Sequence, residues 1–223
     1  MKKWTTLDQA LTPGGGTVSL HEHDGSYAIR VDGIPLMSTR QHGSEERLAE
    51  LACAHLRRNP CARVLIGGLG FGFTLRAALA AMPAGATVVV AEILGAVIAW
   101  NRNPAFPLAA DCMADPRVTI LQQDAGETIR EARAAFDAIV LDVDNGPAAL
   151  SAAGNARLYD SAGLRRARAA LRPGGCLAVW SVAPDPAFAK LMTQTGFAVD
   201  VHRARSRLGS GRWHTLFLGR SVA

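Results

Sequence analysis

Three glycines at alternate positions follow a short apolar run and form the part of the chain best suited to bind a ligand through its backbone. The run is Val64–Gly67, and the turn after it reads G-x-G-x-G, with glycines at positions 68, 70 and 72. Glycine lets the chain turn sharply and lets a ligand approach without a Cβ in the way. A helix that starts directly after the turn offers unbonded N–H groups to polar ligand atoms.

The spacing of Gly68, Gly70 and Gly72 indicates which ligand. A dinucleotide-binding fingerprint requires G-x-G-x-x-G, and position 73 is Phe. The observed spacing is more typical of domains that bind S-adenosylmethionine than of domains that bind NAD. The alternative is a tight turn between a strand and a helix without a ligand.

Two single acids follow the next two strand-like runs. Glu92 ends the run that begins at Thr87, and Asp124 ends the run that begins at Arg117. A carboxylate at the first place can accept hydrogen bonds from both hydroxyls of a ribose. At the second place Asp124 can accept from an adenine amino group while the N–H of Ala125 donates to the ring. The alternatives are an acid on the surface for Glu92 and a helix cap for Asp124.

A pair of acids, Asp142 and Asp144, follows a fourth strand-like run that begins at Phe136. Gly146-Pro147 stops the strand just beyond them, so both side chains can face one cleft. Packing does not require two carboxylates at the mouth of a sheet, where charges are costly unless they are paired or wet. We therefore treat both as candidate catalytic residues, against the alternative of two solvated loop acids. Farther upstream, Glu45 and Glu46 either reach over the cleft or are exposed acids at a helix start.

Strands and helices alternate from residue 62 onward, which predicts a parallel sheet covered on both faces. The fold class that follows is α/β, a Rossmann-like seven-stranded S-adenosylmethionine-dependent methyltransferase fold with an antiparallel final strand. Residues 44–223 form this domain, and residues 1–43 form a short tail and a β-hairpin region. Ligands of such sheets bind beyond the carboxyl ends of the strands.

Several local expectations accompany this assignment. Residues 1–16 are expected to be loosely ordered, Ser44 to cap the helix that begins at residue 43, and residues 155–171 to form one helix. An Arg/Gly/Ser loop is expected between the last two strands, predicted at Phe197–Arg203 and His214–Gly219.

The composition excludes several classes of protein. The chain has 223 residues, of which 49% are hydrophobic and 19% charged, so it can bury a large core. The four cysteines are scattered without metal-ligand spacing, which predicts free thiols, no metal site and a cytoplasmic location. No segment has the pattern of a signal peptide or a membrane span. We attribute the net charge of +5 to basic side chains on a solvated face rather than to a surface that binds nucleic acid.

The chain resembles the spermidine synthases (polyamine aminopropyltransferases), and more closely the shorter bacterial proteins called spermidine synthase-like. The resemblance runs from about residue 20 to the end. It rests on the stretches VDGIPLMSTRQHGSEERLAELA, VLIGGLGFGFTLRAAL, VVVAEI, DPRVTILQQDA, FDAIVLDVDNGP and LYDSAGLRRARAALRPGGCLAVWS. The residues Thr74-Leu75-Arg76 after the glycines and Asp115-Pro116-Arg117-Val118 before the third strand are the most specific parts.

The resemblance implies transfer of an aminopropyl group from decarboxylated S-adenosylmethionine to an amine such as putrescine. It implies that Glu92 holds ribose, that Asp124 holds adenine, and that Asp144, supported by Asp142, takes or orients the proton of the amine. It also implies a homodimer, with no metal ion and no membrane.

Three differences from the family pattern leave alternatives open. The acids read D-V-D-N-G-P instead of D-S-S-D-P, the aromatic residue of Y-x-E-x-L is missing from Ser44–Leu48, and the glycine turn carries no acid. An acid in the turn would repel the carboxylate of ordinary S-adenosylmethionine, so a methyltransferase is the first alternative. The second is a non-catalytic nucleotide- or RNA-binding module that uses the arginines at positions 203, 205, 207 and 212.

Overall fold

The computed structural model describes residues 3–143, 146–147, 156–207 and 209–222. The elements, in chain order, are β1 (Thr5–Leu11), β2 (Thr17–His23), β3 (Ser26–Val31), β4 (Ile34–Ser38), α1 (Gly43–Cys53), a 3₁₀ turn (Ala54–Leu56), β5 (Arg63–Gly67), α2 (Phe73–Ala81), β6 (Thr87–Glu92), α3 (Gly95–Arg102), α4 (Ala110–Met113), β7 (Val118–Gln122), α5 (Ala125–Glu131), β8 (Phe136–Leu141), α6 (Ala156–Tyr159), α7 (Ser161–Ala170), β9 (Leu171–Ser181), α8 (Pro186–Gln194), β10 (Phe197–Arg207) and β11 (Ser210–Ser221). Within these residues no helix is both long and apolar enough to cross a membrane.

A seven-stranded sheet forms the main body, in the order β10-β11-β9-β8-β5-β6-β7. The central strand, β5, pairs in parallel with β6 on one side and with β8 on the other. Only β11 runs against the others in this sheet, because it pairs antiparallel with both β9 and β10. The predicted fold class is therefore confirmed.

The sequence of β5 shows why this strand lies at the centre. Val64 and Ile66 belong to the apolar cluster on one face of the sheet, and Leu65 belongs to the cluster on the other face. All three side chains are fully buried. A strand buried on both faces needs a continuous apolar run instead of alternation, and this run places the glycine turn at the carboxyl edge of the sheet.

The N-terminal region forms a second sheet of four antiparallel strands in the order β1-β2-β3-β4. The expectation that residues 1–16 are loosely ordered is wrong, because β1 pairs with β2 along its length. Trp100 also ties β1 to α3, since its Nε1 donates to Asp8 Oδ2 over 2.7 Å. Val18, Leu20 and Ile29 are buried in the same apolar cluster as one face of the main sheet, so the small sheet packs on the main body.

Two helical predictions are also corrected. Ser44 does not cap α1, which follows His42 without a side-chain cap; its hydroxyl is used in a buried polar cluster described below. The expected helix at 155–171 is two helices, α6 and α7, because Asp160 leaves helical geometry and accepts a hydrogen bond from the N–H of Gly163. An Asp at that place caps a new helix better than it continues an old one. The strand after it, β9, follows α7 directly and begins at Leu171.

The expected loop between the last two strands is a continuation of both strands. β10 extends to Arg207 and β11 begins at Ser210, so the arginines at 203, 205, 207 and 212 are strand residues. Arg203 and Arg205 lie over the ring of Trp213, with the guanidinium carbon 4.9 and 4.4 Å from its centroid. Stacking on this exposed ring and antiparallel pairing extend the hairpin beyond the predicted bounds.

The Asp115–Arg117 motif serves the fold. Arg117 Nη1 donates to the carbonyl of Leu79 over 3.1 Å and to those of Met82 and Pro83 over 3.4 Å. Asp115 Oδ2 accepts from Arg117 Nη2 at 2.8 Å and holds the guanidinium in place. The motif thereby binds carbonyl groups at the end of α2, where the helix has no internal donors left.

We expect Arg117→Lys to lower the free energy of unfolding by about 1–2 kcal/mol, because an ammonium group cannot keep the fork of hydrogen bonds. Urea unfolding measures the loss. Arg58→Lys, at an exposed position, is the control and should leave stability unchanged. Equal stability of the two variants would show that the clamp on α2 is not significant.

Candidate functional site

The carboxyl ends of β5, β6 and β8 lie level, and backbone hydrogen bonds join them. The N–H of Gly68 donates to Ala91 O over 2.9 Å, and the N–H of Asp142 donates to Gly67 O over 3.0 Å. A cavity of about 90 Å³ lies above these ends, which we call the donor cavity. Six of the predicted site residues line it, namely Gly68, Gly70, Glu92, Asp124, Ala125 and Asp142. Asp144 lies outside the residues that the structure describes.

The glycine turn passes very close to the end of β8. Gly68 has a φ of 89°, and a Cβ on it would collide with the carbonyl oxygen of Asp142. A Cβ on Gly70 would lie 2.7 Å from Cε of Met37. Gly72, the third glycine of the spacing, immediately precedes α2 and faces Ala109 instead. The first two glycines thus keep the cavity open, and the third allows close packing of the helix.

Glu92 organises the turn from the end of β6. Its Oε2 accepts from the N–H of Leu69 at 2.9 Å, and its Oε1 accepts from the N–H of Leu94 at 2.8 Å. The residue is 7% exposed. Because a carboxylate oxygen can accept more than one hydrogen bond, Glu92 can hold both loops and still receive hydroxyl groups from a ligand in the cavity.

Asp124 is the helix cap that the sequence offered as an alternative, and it also borders the donor cavity. It caps α5, since Oδ1 accepts from the N–H of Glu127 at 3.1 Å, and it also lines the donor cavity. The N–H of Ala125 belongs to the first turn of α5 and has no acceptor inside that helix. An acceptor and a donor thus stand side by side, which suits the edge of a heteroaromatic ring.

Asp142 is held from the start of α2. Thr74, which is buried, donates from Oγ1 to Asp142 Oδ2 at 2.5 Å. Burial raises the pKa of Asp142 to about 6, and the hydrogen bond from Thr74 opposes that rise. Sequence reasoning noted Thr74 only as part of a motif; its hydroxyl is what keeps this carboxylate in place.

Glu45 forms the other half of an acid pair with Asp142. Burial and, after it, the negative charge of Asp142 raise the pKa of Glu45 to about 8. Two carboxylates so close share protons as a unit. The sequence offered Glu45 either as a residue over the cleft or as an exposed helix-start acid, and the structure places it in the cleft.

Ser44 links this pair to the end of the chain. Its hydroxyl donates to Glu45 Oε2 at 2.5 Å and accepts from Trp180 Nε1 at 3.0 Å. It also lies 2.8 Å from Nδ1 of His214, whose pKa is lowered by burial and then by Arg212. A buried hydroxyl with partners on α1, β9 and β11 fixes the position of Glu45. No sequence signal connects residues so far apart in the chain.

Apolar side chains complete the donor cavity, and the sequence reasoning did not single them out. They come from the small sheet, from the loop and helix after β6, from the end of β8 and from α6: Ile29, Leu36, Met37, Ile93, Leu94, Val97, Val143 and Leu158. Ile93 directly follows Glu92 and is 46% exposed. A large exposed apolar residue at the rim suits a flat ring laid over it.

The donor cavity adjoins a larger one of about 690 Å³, which we call the outer cavity. Leu36, Met37 and Asp142 line both, and Glu45 lines the outer one. Asp142 therefore stands where the two cavities meet. Among the described residues, no three His, Cys, Asp or Glu side chains are grouped as a metal ion would require.

Comparison with known proteins identifies relatives by sequence. No protein-family model matches the chain. Two curated proteins named polyamine aminopropyltransferase, from two versions of Leptospira biflexa serovar Patoc strain Patoc 1 (Ames and Paris), are each 30% identical over 151 residues. The match covers 66% of this chain and 50% of each relative, so the chain spans about half the length of the curated relatives it matches.

Solved structures share the fold. A spermidine synthase from Thermotoga maritima covers 96% of this chain with a TM-score of 0.76 and 19% identity, with 72% of that structure's chain aligned. A probable spermidine synthase from Corynebacterium glutamicum covers 99% of this chain and 81% of its own, with a TM-score of 0.66 and 18% identity. TrmN from Thermus thermophilus covers 80% of this chain and 48% of its own, with a TM-score of 0.57 and 24% identity. The resemblance inferred from the sequence motifs is confirmed.

We expect Thr74→Val to destabilise the protein by about 1–3 kcal/mol at pH 7, because it removes the donor from a carboxylate that burial already disfavours. Thr74→Ser keeps the hydroxyl and is the matched control, with a smaller loss. Urea unfolding at pH 7 and at pH 5 measures both. The Thr74→Val variant should regain stability relative to wild type at pH 5, where Asp142 takes up a proton. A loss of stability that is the same at both pH values would mean that only packing was disturbed.

The acid pair also predicts a pH dependence of stability. A carboxyl group whose pKa is raised on folding stabilises the protein fully below its unfolded pKa, 4.5 for Glu45, and this contribution is lost as the pH rises towards its folded pKa of about 8. We therefore expect Glu45→Gln to gain stability relative to wild type between pH 5 and pH 8, by on the order of 2 kcal/mol. Scanning calorimetry across this range measures the gain.

The control for this experiment is Glu50→Gln, at an exposed position in the same helix. It should follow the wild-type pH profile. If Glu45→Gln also follows it, the carboxyl group of Glu45 is not in the cleft with a raised pKa.

Proposed function

We propose that this chain, which is spermidine synthase-like in sequence and fold, transfers an aminopropyl group from decarboxylated S-adenosylmethionine to an amine. The observation that carries the proposal is the place of Asp142, at the junction of the two cavities. One cavity has the groups that a nucleoside requires, and the other is large enough for a second substrate. A direct transfer needs this arrangement, because both substrates must meet at one point.

The residues of the donor cavity fit an adenosyl group. Glu92 would receive the ribose hydroxyls, Asp124 the adenine amino group and the N–H of Ala125 a ring nitrogen. The glycines at 68 and 70 leave room for the backbone to approach the ligand. Ile93 and Leu94 supply apolar surface to the ring. These roles rest on the lining of the cavity and on the hydrogen-bonding character of each group.

The chemistry is a displacement at carbon. The amine nitrogen forms a bond to the propyl carbon next to the sulfonium, the carbon–sulfur bond breaks, and its electrons leave with a neutral thioether. An amine with a pKa near 10 is protonated at pH 7, so a carboxylate must accept a proton before or during attack. We assign this task to Asp144. Asp142 supports it, because its burial and the hydrogen bond from Thr74 fix its position.

Methyl transfer from ordinary S-adenosylmethionine remains the second candidate, and one observation favours it. The glycine turn presents the buried apolar side chains of Leu69 and Phe71, and it has no acid that would repel the carboxylate of that donor. A choice between the donors therefore depends on direct measurement.

Assembly and location are further parts of the proposal. By analogy with the family, we propose a homodimer, which sedimentation would detect. Cys53, Cys112 and Cys176 are buried free thiols, and burial raises the pKa of each. Thiols kept in this form suit a reducing cytoplasm.

The decisive experiment supplies purified protein with either donor and a panel of primary amines. It measures 5′-methylthioadenosine and S-adenosylhomocysteine separately. We expect 5′-methylthioadenosine from the decarboxylated donor. Asp144→Asn should reduce turnover by about 10²–10⁴-fold, as the loss of a general base does, with donor affinity changed by only a few fold. Glu131→Gln, at an exposed position, is the control. Release of S-adenosylhomocysteine alone, from ordinary S-adenosylmethionine, would establish methyl transfer. Equal turnover by wild type and by Asp144→Asn would remove Asp144 from the mechanism.

A further inference from the structure

The outer cavity has an unusual charge for a site that would take a simple diamine. Four arginines line it: Arg30, Arg40, Arg207 and Arg212. They come from two places far apart in sequence, the small N-terminal sheet and the β10–β11 hairpin. Carboxylates are expected where a site must hold a second ammonium group, because like charges repel at close range. Among the described residues, the carboxylates that line the cavity are those of Glu45 and Asp142.

No carboxylate among the described residues neutralises these arginines. Within the part of the chain that the structure describes, none of the four forms an ion pair with a carboxylate. The hydrogen bonds that they make go to neutral oxygens, such as Arg40 Nε to Ser26 Oγ at 2.7 Å and Arg207 Nε to the carbonyl of Arg40 at 2.8 Å. Nε of Arg30 is buried without a hydrogen-bond partner. Guanidinium groups left in this state are ready to bind an anion.

Arginines supply most of the charge that lines the outer cavity. Burial and then the nearby Arg212 lower the pKa of His214, which also lines the cavity. The acids of the described lining are Glu45 and Asp142, and burial raises the pKa of both. Among the described charged side chains that line the cavity, arginines therefore outnumber acids by four to two.

We propose that the acceptor is an amine that also carries an anionic group, a carboxylate or a phosphate. Its amine would lie at Glu45 and Asp142, and its anion would be bound by the arginines. This inference rests on the proposed function for the transfer step, but it concerns which ligand the outer cavity binds. The anionic group takes no part in the reaction; it orients the amine towards the donor cavity.

The test measures binding and transfer separately. Isothermal calorimetry compares 1,4-diaminobutane with two anionic amines, 4-aminobutyrate and O-phosphoethanolamine, on wild type with 5′-methylthioadenosine present. We expect at least one anionic amine to bind about tenfold or more tightly than the diamine, as charge-assisted hydrogen bonds would give. The two anionic amines distinguish carboxylate from phosphate as the preferred group.

Variants connect the binding to the arginines. Arg207→Gln combined with Arg212→Gln changes two exposed strand residues, so the fold should be retained. The double variant should bind the anionic amine about tenfold more weakly. It should bind the diamine no more weakly than wild type does, because two like charges are removed. Arg203→Gln is the control, on the same strand but outside the cavity lining. The inference would be overturned if wild type bound the diamine more tightly than both anionic amines. It would also be overturned if the double variant bound the anionic amine as tightly as wild type does.

Transfer assays with the same three amines separate this inference from the proposed function. Product from the diamine at the higher kcat/KM would retain aminopropyl transfer and reject the anionic acceptor. Arginine-dependent binding of an anionic amine with no 5′-methylthioadenosine released from any of them would retain the ligand class and reject aminopropyl transfer.

Discussion

The close passage of the glycine turn over the end of β8 is the constraint on which the site depends. Gly68 lies against the carbonyl of Asp142 in a conformation that a side chain would strain. Glu92 fixes the same turn from β6 through the N–H of Leu69. The turn, Glu92 and Asp142 thus take their positions from one another, and a change in any of them moves the lining of the donor cavity.

The acid pair is the second organising feature, and it is costly to the fold. Asp142 and Glu45 are brought together where both side chains are partly buried, so the charge of Asp142 raises the free energy of ionising Glu45. Hydroxyl groups of Thr74 and Ser44 offset part of this cost. Proteins retain such an arrangement where a proton has to be taken up or released, which agrees with the chemistry proposed for this edge of the sheet.

The sequence predicted what local patterns encode. Apolar runs separated by glycine-containing turns predicted the main strands in chain order. The acids that follow three of these strands were predicted as site residues, and Glu92, Asp124 and Asp142 all line the donor cavity. It did not predict β1, whose side chains are mostly exposed and whose order comes from pairing with β2. It also missed the partners of Ser44, because the contact with His214 joins residues 170 positions apart. The role of Asp144 stays a prediction.

The walls of the outer cavity come from opposite ends of the chain, while its floor comes from the middle. Arg30 belongs to β3, Arg40 follows β4, and Arg207 and Arg212 belong to the final hairpin, whereas Asp142 follows a core strand. Substitutions in either wall can therefore change the charge of the outer cavity without disturbing the packed strands beneath the donor cavity. Divergence among related chains can proceed by altering two peripheral hairpins, and the same hairpins are the natural places to redesign acceptor preference.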